Sequence, residues 1–346
     1  MDYRGAQGPG DLIMGAMTDA PALAPSLRQL TVLNQLGRAV LSASTGVQVL
    51  DAGQDLAWER CHEADVLLTA PRNGWRDAPE EKPAGWPGRL RWVHLASVGI
   101  DYFPAWLFEG VQVSCARGVA ADPIADYVLS VLLEQSLALN ARRAKNAADW
   151  ERESTSVISQ PMGLLAGQTL GIVGYGAIGK AVAQRAKAFG MTVQALRNGK
   201  GSAQLAEDGT SFAKDLSQLL ASSDHAVLAL PLTAASRGLI NADALAYCKP
   251  GLHLINVARG GLVDQDALKV ALDSGLLGAA SLDVTEPEPL PEGHWLYSHE
   301  KVRLTPHISW AAGDVQAATR DKFAENLQRY RRSQALFDVV DLSKGY

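Results

Sequence analysis

Residues 169–179 read Thr-Leu-Gly-Ile-Val-Gly-Tyr-Gly-Ala-Ile-Gly. The first five are a continuous apolar run, as in a strand buried on both faces. Gly174, Gly176 and Gly179 then form a G-x-G-x-x-G string, and Lys180–Phe189 continues with helical spacing. Such a string alone is weak, but a strand before it and a helix after it give it meaning. Gly174 permits a tight turn, Gly176 lets the backbone approach a pyrophosphate, and Gly179 lets the helix pack closely on the sheet. Ala177 and Ile178 open that helix, whose free N–H groups and positive dipole end suit phosphate. The stretch predicts the first βαβ unit of a dinucleotide-binding domain; the competing reading is a glycine-rich turn with no ligand.

Outward from this unit, strand-like runs alternate with helical patterns, which signals parallel sheets and an α/β fold. Strands are expected near 192–196, 226–230, 253–257, 279–284 and 302–305, and upstream near 30–33, 64–69 and 90–96. Ala120–Asn140 and Val315–Arg332 have helical spacing, and polar 141–161 reads as a connection. The chain thus divides into a flexible extension, 1–29 (with Met14 or Met17 as a candidate start), a first domain, 30–140 with 313–346, and a dinucleotide-binding domain, 141–312. With 346 residues there is enough chain for two cores.

A net charge of -5 offers nucleic acid no basic surface. The most apolar helical stretch, Ile124–Leu139, carries Asp126, Glu134 and Gln135, against the roughly 18 uninterrupted apolar residues of a membrane span. Cys61, Cys115 and Cys248 contain no CxxC pair, which argues against a disulfide framework or a zinc site and for a reducing, cytoplasmic compartment. No metal is expected.

The end of the second strand bears on the cofactor. An NAD site places a carboxylate there to bind the ribose hydroxyls. Here the position holds Arg197, followed by Asn198 and Lys200, and no acidic residue occurs from Lys180 to Ala206. A guanidinium pairs with a 2′-phosphate, so NADP is expected over NAD. The alternative is an Arg197 that is solvated or stacked on adenine.

Three later segments each place a reactive residue just past a strand: Arg259, Glu288 and His307. In open α/β sheets these C-terminal strand ends border the ligand crevice. Reducing a 2-keto acid requires a hydride at the carbonyl carbon and a proton at its oxygen. Histidine donates that proton near neutral pH, and a carboxylate holds its ring. Arginine binds the substrate carboxylate and polarises the carbonyl. His307 is therefore read as acid/base, Glu288 as its partner and Arg259 as the clamp. Each taken singly could be an ordinary loop or surface residue, and His225 and His253 are read as structural.

These residues resemble the D-isomer-specific 2-hydroxyacid dehydrogenase family over about 90–312, through Leu170–Gly179, Leu230–Thr233, Ile255–Asp264, Leu282–Pro291 and Thr305–His307. The resemblance implies two Rossmann-like parallel-sheet domains. The substrate domain would be flavodoxin-like, split in sequence around the dinucleotide-binding domain, with the final helix returning to it. It implies that the N–H groups of Val98 and Gly99 hold the substrate carboxylate. Pro231, Thr233 and Val257 would line the cofactor, and Asp283 would contact its carboxamide. Ile124–Asp126 resembles the start of a dimerisation helix, implying a homodimer. The expected activity is NAD(P)H-dependent reduction of a small 2-keto acid such as glyoxylate or hydroxypyruvate. The alternatives are an NAD-linked D-2-hydroxyacid or phosphoglycerate dehydrogenase, or a corepressor-like dinucleotide sensor. The loop holding Trp75 and Trp86 matches the family poorly, and the choice of substrate rests on it.

Overall fold

The computed structural model describes residues 29–37, 46–53, 56–197 and 205–342. The expected extension lies outside them, apart from Gln29.

The first lobe is a five-stranded parallel sheet of β1 (Thr31–Asn34), β2 (Gln48–Asp51), β3 (Val66–Thr69), β4 (Trp92–Leu95) and β5 (Gln112–Cys115). Its order, β2-β1-β3-β4-β5, is the flavodoxin-like one. Side chains alternate between its faces. Leu33, Leu67 and Val93 meet a layer of Trp58, Trp75, Trp86 and Trp106 on one side. On the other, Val32, Val66 and Trp92 meet Phe323 and Leu327 of the last helix (Val315–Arg331). The tryptophan layer replaces the helices expected between these strands: among the described residues of 46–116, the helical turns are 3₁₀ ones, at Trp75–Asp77 and Ala105–Phe108. Beyond that helix the chain runs antiparallel beside β5, bridging Val339 to Ser114.

The second lobe is a seven-stranded parallel sheet of β6 (Thr169–Val173), β7 (Thr192–Leu196), β8 (Ser211–Phe212), β9 (His225–Leu228), β10 (Leu252–Asn256), β11 (Leu277–Leu282) and β12 (Val302–Leu304). Its order, β12-β11-β10-β9-β6-β7-β8, is the doubly wound dinucleotide-binding arrangement with one added edge strand. β9 and β10 are buried throughout, as their apolar runs require. Helix α3 (Ala177–Ala188) follows β6.

Three differences from the sequence reading have physical causes. The strands β2, β5 and β8 carry no clear sequence signal, because each is a short edge strand without a full apolar pattern. Helix α2 (Ala147–Ser156) occupies the expected connection; it buries no residue and is started by the Asn146 side chain, which accepts from the Asp149 N–H. Helix α1 (Ala121–Leu137) lies in sequence on the first-domain side of the expected boundary at 140/141. Its Ile124, Val128 and Leu132 are nevertheless buried with Leu170, Val182 and Ala186, in the second core.

Candidate active site

β6 delivers the chain to Gly174, where φ is +102° and an added Cβ would stand 2.5 Å from the Ala229 carbonyl oxygen. A Cβ on Gly179 would stand 2.3 Å from the Gly174 oxygen, so α3 is pressed against the turn. Gly176, in contrast, faces nothing within 4 Å. Helix α3 begins at Ala177 and Ile178 with no side-chain cap and no acidic residue in its first turn. Open space, unclaimed N–H groups and a positive helix end meet here, and these residues fit a dinucleotide pyrophosphate. Pro231, Thr233 and Val257 follow β9 and β10 beside this turn. Ser236 Oγ ties the first two together, donating to the Pro231 carbonyl and accepting from the Thr233 N–H, each at 2.8 Å.

Arg197 follows β7, exposed, with its guanidinium 4.1 Å from the centre of the Phe212 ring. Asn198 and Lys200 lie outside the described residues. Tyr175, inside the glycine string, donates to Asp208 at 2.6 Å. Burial and that bond push its phenol up to about 12.

Past β12, His307 has a left-handed backbone, φ +55°. Its N–H donates to the Asp283 carbonyl at 2.8 Å. The Asp283 carboxylate accepts from Thr305 Oγ1 at 2.6 Å and from the N–H groups of Ile308 and Ser309 at 2.9 Å. Asp283 is 1% exposed and anchors the turn carrying the histidine. His307 Nδ1 lies 3.0 Å from Glu288 Oε2, and the other oxygen accepts from the Thr285 N–H at 3.1 Å. Burial raises the Glu288 carboxyl, but the hydrogen bond and charge of His307, the Thr285 N–H and the nearby Arg259 outweigh it and hold the group below the usual range. Glu288 is thus an anion that accepts from Nδ1, which leaves Nε2 of His307 for the cleft.

Past β10, a Cβ on Gly260 would lie 2.0 Å from the Thr285 carbonyl carbon, so only glycine lets the two turns touch. That contact sets Arg259 beside Glu288. Arg259 Nε donates across the cleft to Asp101 at 3.0 and 3.1 Å, and its guanidinium lies 5.1 Å from the Tyr102 ring centre. A Cβ on Gly99 would strike Arg259 Nη2, at 1.7 Å. Among the described residues the N–H groups of Val98 and Gly99 have no protein acceptor. Two free donors, a guanidinium and an imidazole therefore converge where the lobes meet.

Residues 135–309 match the model of the D-isomer specific 2-hydroxyacid dehydrogenase NAD-binding domain. The chain belongs to the D-isomer-specific 2-hydroxyacid dehydrogenase family. Its members are NAD(P)-dependent oxidoreductases of CH–OH groups. The chain is 33% identical to a glyoxylate reductase of Pyrococcus furiosus, over 71% of its own length and 74% of the relative's. It is also 33% identical to chloroplastic D-3-phosphoglycerate dehydrogenase 2 of Arabidopsis thaliana, over 86% of its length, but spans only 47% of that relative. A crystal structure of a family protein from Xanthobacter autotrophicus, in complex with NADPH and MES, superposes with a TM-score of 0.71 at 26% identity, covering 92% of this chain and 99% of that one.

This family member brings residues to the cleft that the sequence reading left without a role. Asp101 stands two positions after Gly99, and an acid so close to the expected carboxylate-binding turn is a usable signal for a partner of the arginine clamp. Tyr102 has a phenol that burial pushes up and that therefore stays protonated. Tyr127, on α1, reaches Thr305 Oγ1 at 2.7 Å, a contact across 178 positions that no local pattern announces. His225 and His253 are structural: their Nδ1 atoms lie 3.2 Å apart, and the outer nitrogens meet Gln168 and Ser281. Among the described residues no cluster of three His, Cys, Asp or Glu could hold a metal, and no helix is long and apolar enough to cross a membrane.

Proposed function

We propose that this protein reduces a small 2-keto acid, of the glyoxylate or hydroxypyruvate type, to its D-2-hydroxy acid. The observation that carries the reading is the 3.0 Å contact between His307 Nδ1 and Glu288, with Arg259 close beside Glu288 on the same wall of the cleft. The free N–H groups of Val98 and Gly99 hold the substrate carboxylate, and Arg259 adds a charged donor beside the carbonyl oxygen. His307 gives its Nε2 proton to that oxygen as negative charge builds, while the Glu288 anion steadies the ring. When bound, the dinucleotide supplies the hydride. Asp101 fixes the Arg259 fork without neutralising its Nη2, which lies next to Gly99.

Arg197 on Phe212, with no acid from Lys180 to Ala206, supports NADPH as the preferred cofactor. The exposed Trp150, Ile158 and Leu164, at 71%, 87% and 70%, support a homodimer that covers them. Three free, buried cysteines suit a reducing cytoplasm.

Steady-state reduction of glyoxylate and hydroxypyruvate with each nicotinamide tests the reading. Turnover with a lower KM for NADPH is expected. Absence of turnover with either cofactor overturns the enzyme, and a preference for NADH overturns the role of Arg197.

A further inference from the structure

The cleft continues past His307 and Glu288 into a cavity of about 940 Å³, far more than a two-carbon acid fills. Its first-lobe wall is the loop after β3, carrying Arg72, Gly74, Arg76 and Asp77. This loop is built firmly. Gly74 turns it at φ +81°, and Trp75 is 2% exposed and donates to Thr69 Oγ1 at 2.7 Å. Asn73 is also buried, its amide donating to the Gln35 carbonyl at 3.0 Å. With Asn73 and Trp75 directed inward, Arg72 and Arg76 are directed outward, into the cavity.

Both arginines lie beside groups tied to the catalytic residues. Arg76 lies 5.5 Å from the centre of the Tyr102 ring, the ring Arg259 also meets, and its Nη1 is 3.4 Å from the Glu288 carbonyl oxygen. Arg72 lies 5.8 Å from the centre of Trp310, whose indole donates to the His307 carbonyl at 2.9 Å. Neither has a carboxylate partner among the described residues.

Three acids line the cavity: Asp77, Asp283 and Glu288. Asp283 is occupied by the Thr305–Ser309 turn and Glu288 by His307, while Arg303 reaches Glu134 at 3.9 Å. Among the described residues lining the cavity, Asp77 is the carboxylate left to set against two guanidiniums. A partly enclosed pair of unpaired guanidiniums is a forked anion site.

We propose that Arg76, with Arg72 behind it, forms a subsite for a second anionic group at the far end of the substrate. Resting on the 2-keto acid reductase reading, this makes the substrate class a 2-oxo acid whose distal carbon chain ends in a carboxylate or a phosphate. The proximal carboxylate sits at Val98, Gly99 and Arg259, the carbonyl faces His307, and the chain points along the cavity toward Arg76.

The test compares kcat/KM for 2-oxoglutarate and phosphohydroxypyruvate with that for the singly charged 2-oxopentanoate and hydroxypyruvate. It uses the full chain, Arg76→Gln, Arg76→Lys and Arg72→Gln. The full chain is expected to favour one doubly anionic acid over its neutral-ended counterpart at least tenfold, and which one is favoured names the terminal group. Arg76→Gln should collapse that ratio at least tenfold, Arg76→Lys should keep part of it, and Arg72→Gln should lower it less. Equal kcat/KM for both classes in the full chain, with glyoxylate still reduced, overturns the subsite alone. An Arg76→Gln variant that loses both classes alike also overturns it, making Arg76 a support for Tyr102. Failure to reduce any of these acids overturns the reductase reading, and the subsite with it.

Discussion

On one wall of the cleft, Gly260 leaves no room for a side chain, because the Thr285 backbone occupies the place a Cβ would take. On the opposite wall, Trp75 fills a slot with a whole indole, packed 5.2 Å from Trp58 and 5.5 Å from Phe103 between ring centres. The second lobe holds its reactive groups by backbone against backbone, with Gly174 and Gly179 doing likewise at the nucleotide turn. The first lobe holds its substrate-facing loop by buried side chains and leaves the outward ones exposed. Groups that perform the reaction are thus fixed where almost no substitution fits. Groups that choose the substrate stand on a surface whose residues can change while the anchor beneath stays.

Removing the anchor is the strongest way to break that contrast. Trp75→Ala is expected to cost about 3–5 kcal/mol in urea unfolding, the scale for deleting a buried aromatic. A loss below about 1 kcal/mol would show that the loop does not depend on its indole. His307→Ala removes the proton donor from the other wall and should lower kcat by about a hundredfold or more, with little change in melting. A variant with near-normal kcat would reduce His307 to a turn residue. Asp101→Asn, which keeps the shape of the Arg259 partner but not its charge, should lower kcat/KM about tenfold, a loss of about 1.4 kcal/mol. No change would mean Arg259 is oriented by its own lobe alone.

Acid should separate the two lobes as well. His94 in the first sheet is held down to about 3, His225 to about 4 and His253 to about 3, in each case first by burial. Each is neutral when folded but takes a proton when unfolded at pH below 6.5. Their contribution to stability is therefore complete above pH 6.5 and falls as pH drops toward 4, by up to about 1.4 kcal/mol per pH unit for each histidine. With two such residues in the second lobe and one in the first, the second should lose stability more steeply. Thermal melts at pH 7, 6 and 5 check this: tryptophan emission follows mainly the first lobe, where Trp58, Trp75, Trp86, Trp92 and Trp106 are buried, and circular dichroism follows both. Equal slopes would put the histidine pair outside the pH response.

The same division decided what could be read from the sequence. Gly174, Gly179, Gly260 and the residues they position are spaced by local geometry, so a string of letters carries them. Arg259, Glu288 and His307 were legible for that reason, and the structure brings them together. The first lobe was harder. Its sheet is covered by tryptophan-bearing loops held by contacts far apart in sequence, such as Asn73 with Gln35, and no period marks them. Asp283 was legible as a residue of the crevice but not as the anchor of the histidine turn, because its partners, Thr305, Ile308 and Ser309, sit more than twenty positions on. Helix α2 escaped notice because it buries nothing, and burial is what periodicity reports.

The path of the chain through the two sheets also sets the order in which a ribosome can complete them. Residues 169–304 contain every strand of the larger sheet, so that sheet can close while later codons are still being read. The smaller one cannot. Its outer layer needs Phe323 and Leu327, and its edge is sealed only when Val340 donates its N–H to Val113. Until then β1–β5 present an uncovered face and an open edge, so a newly made chain has its greatest need of chaperones in the half that was translated first.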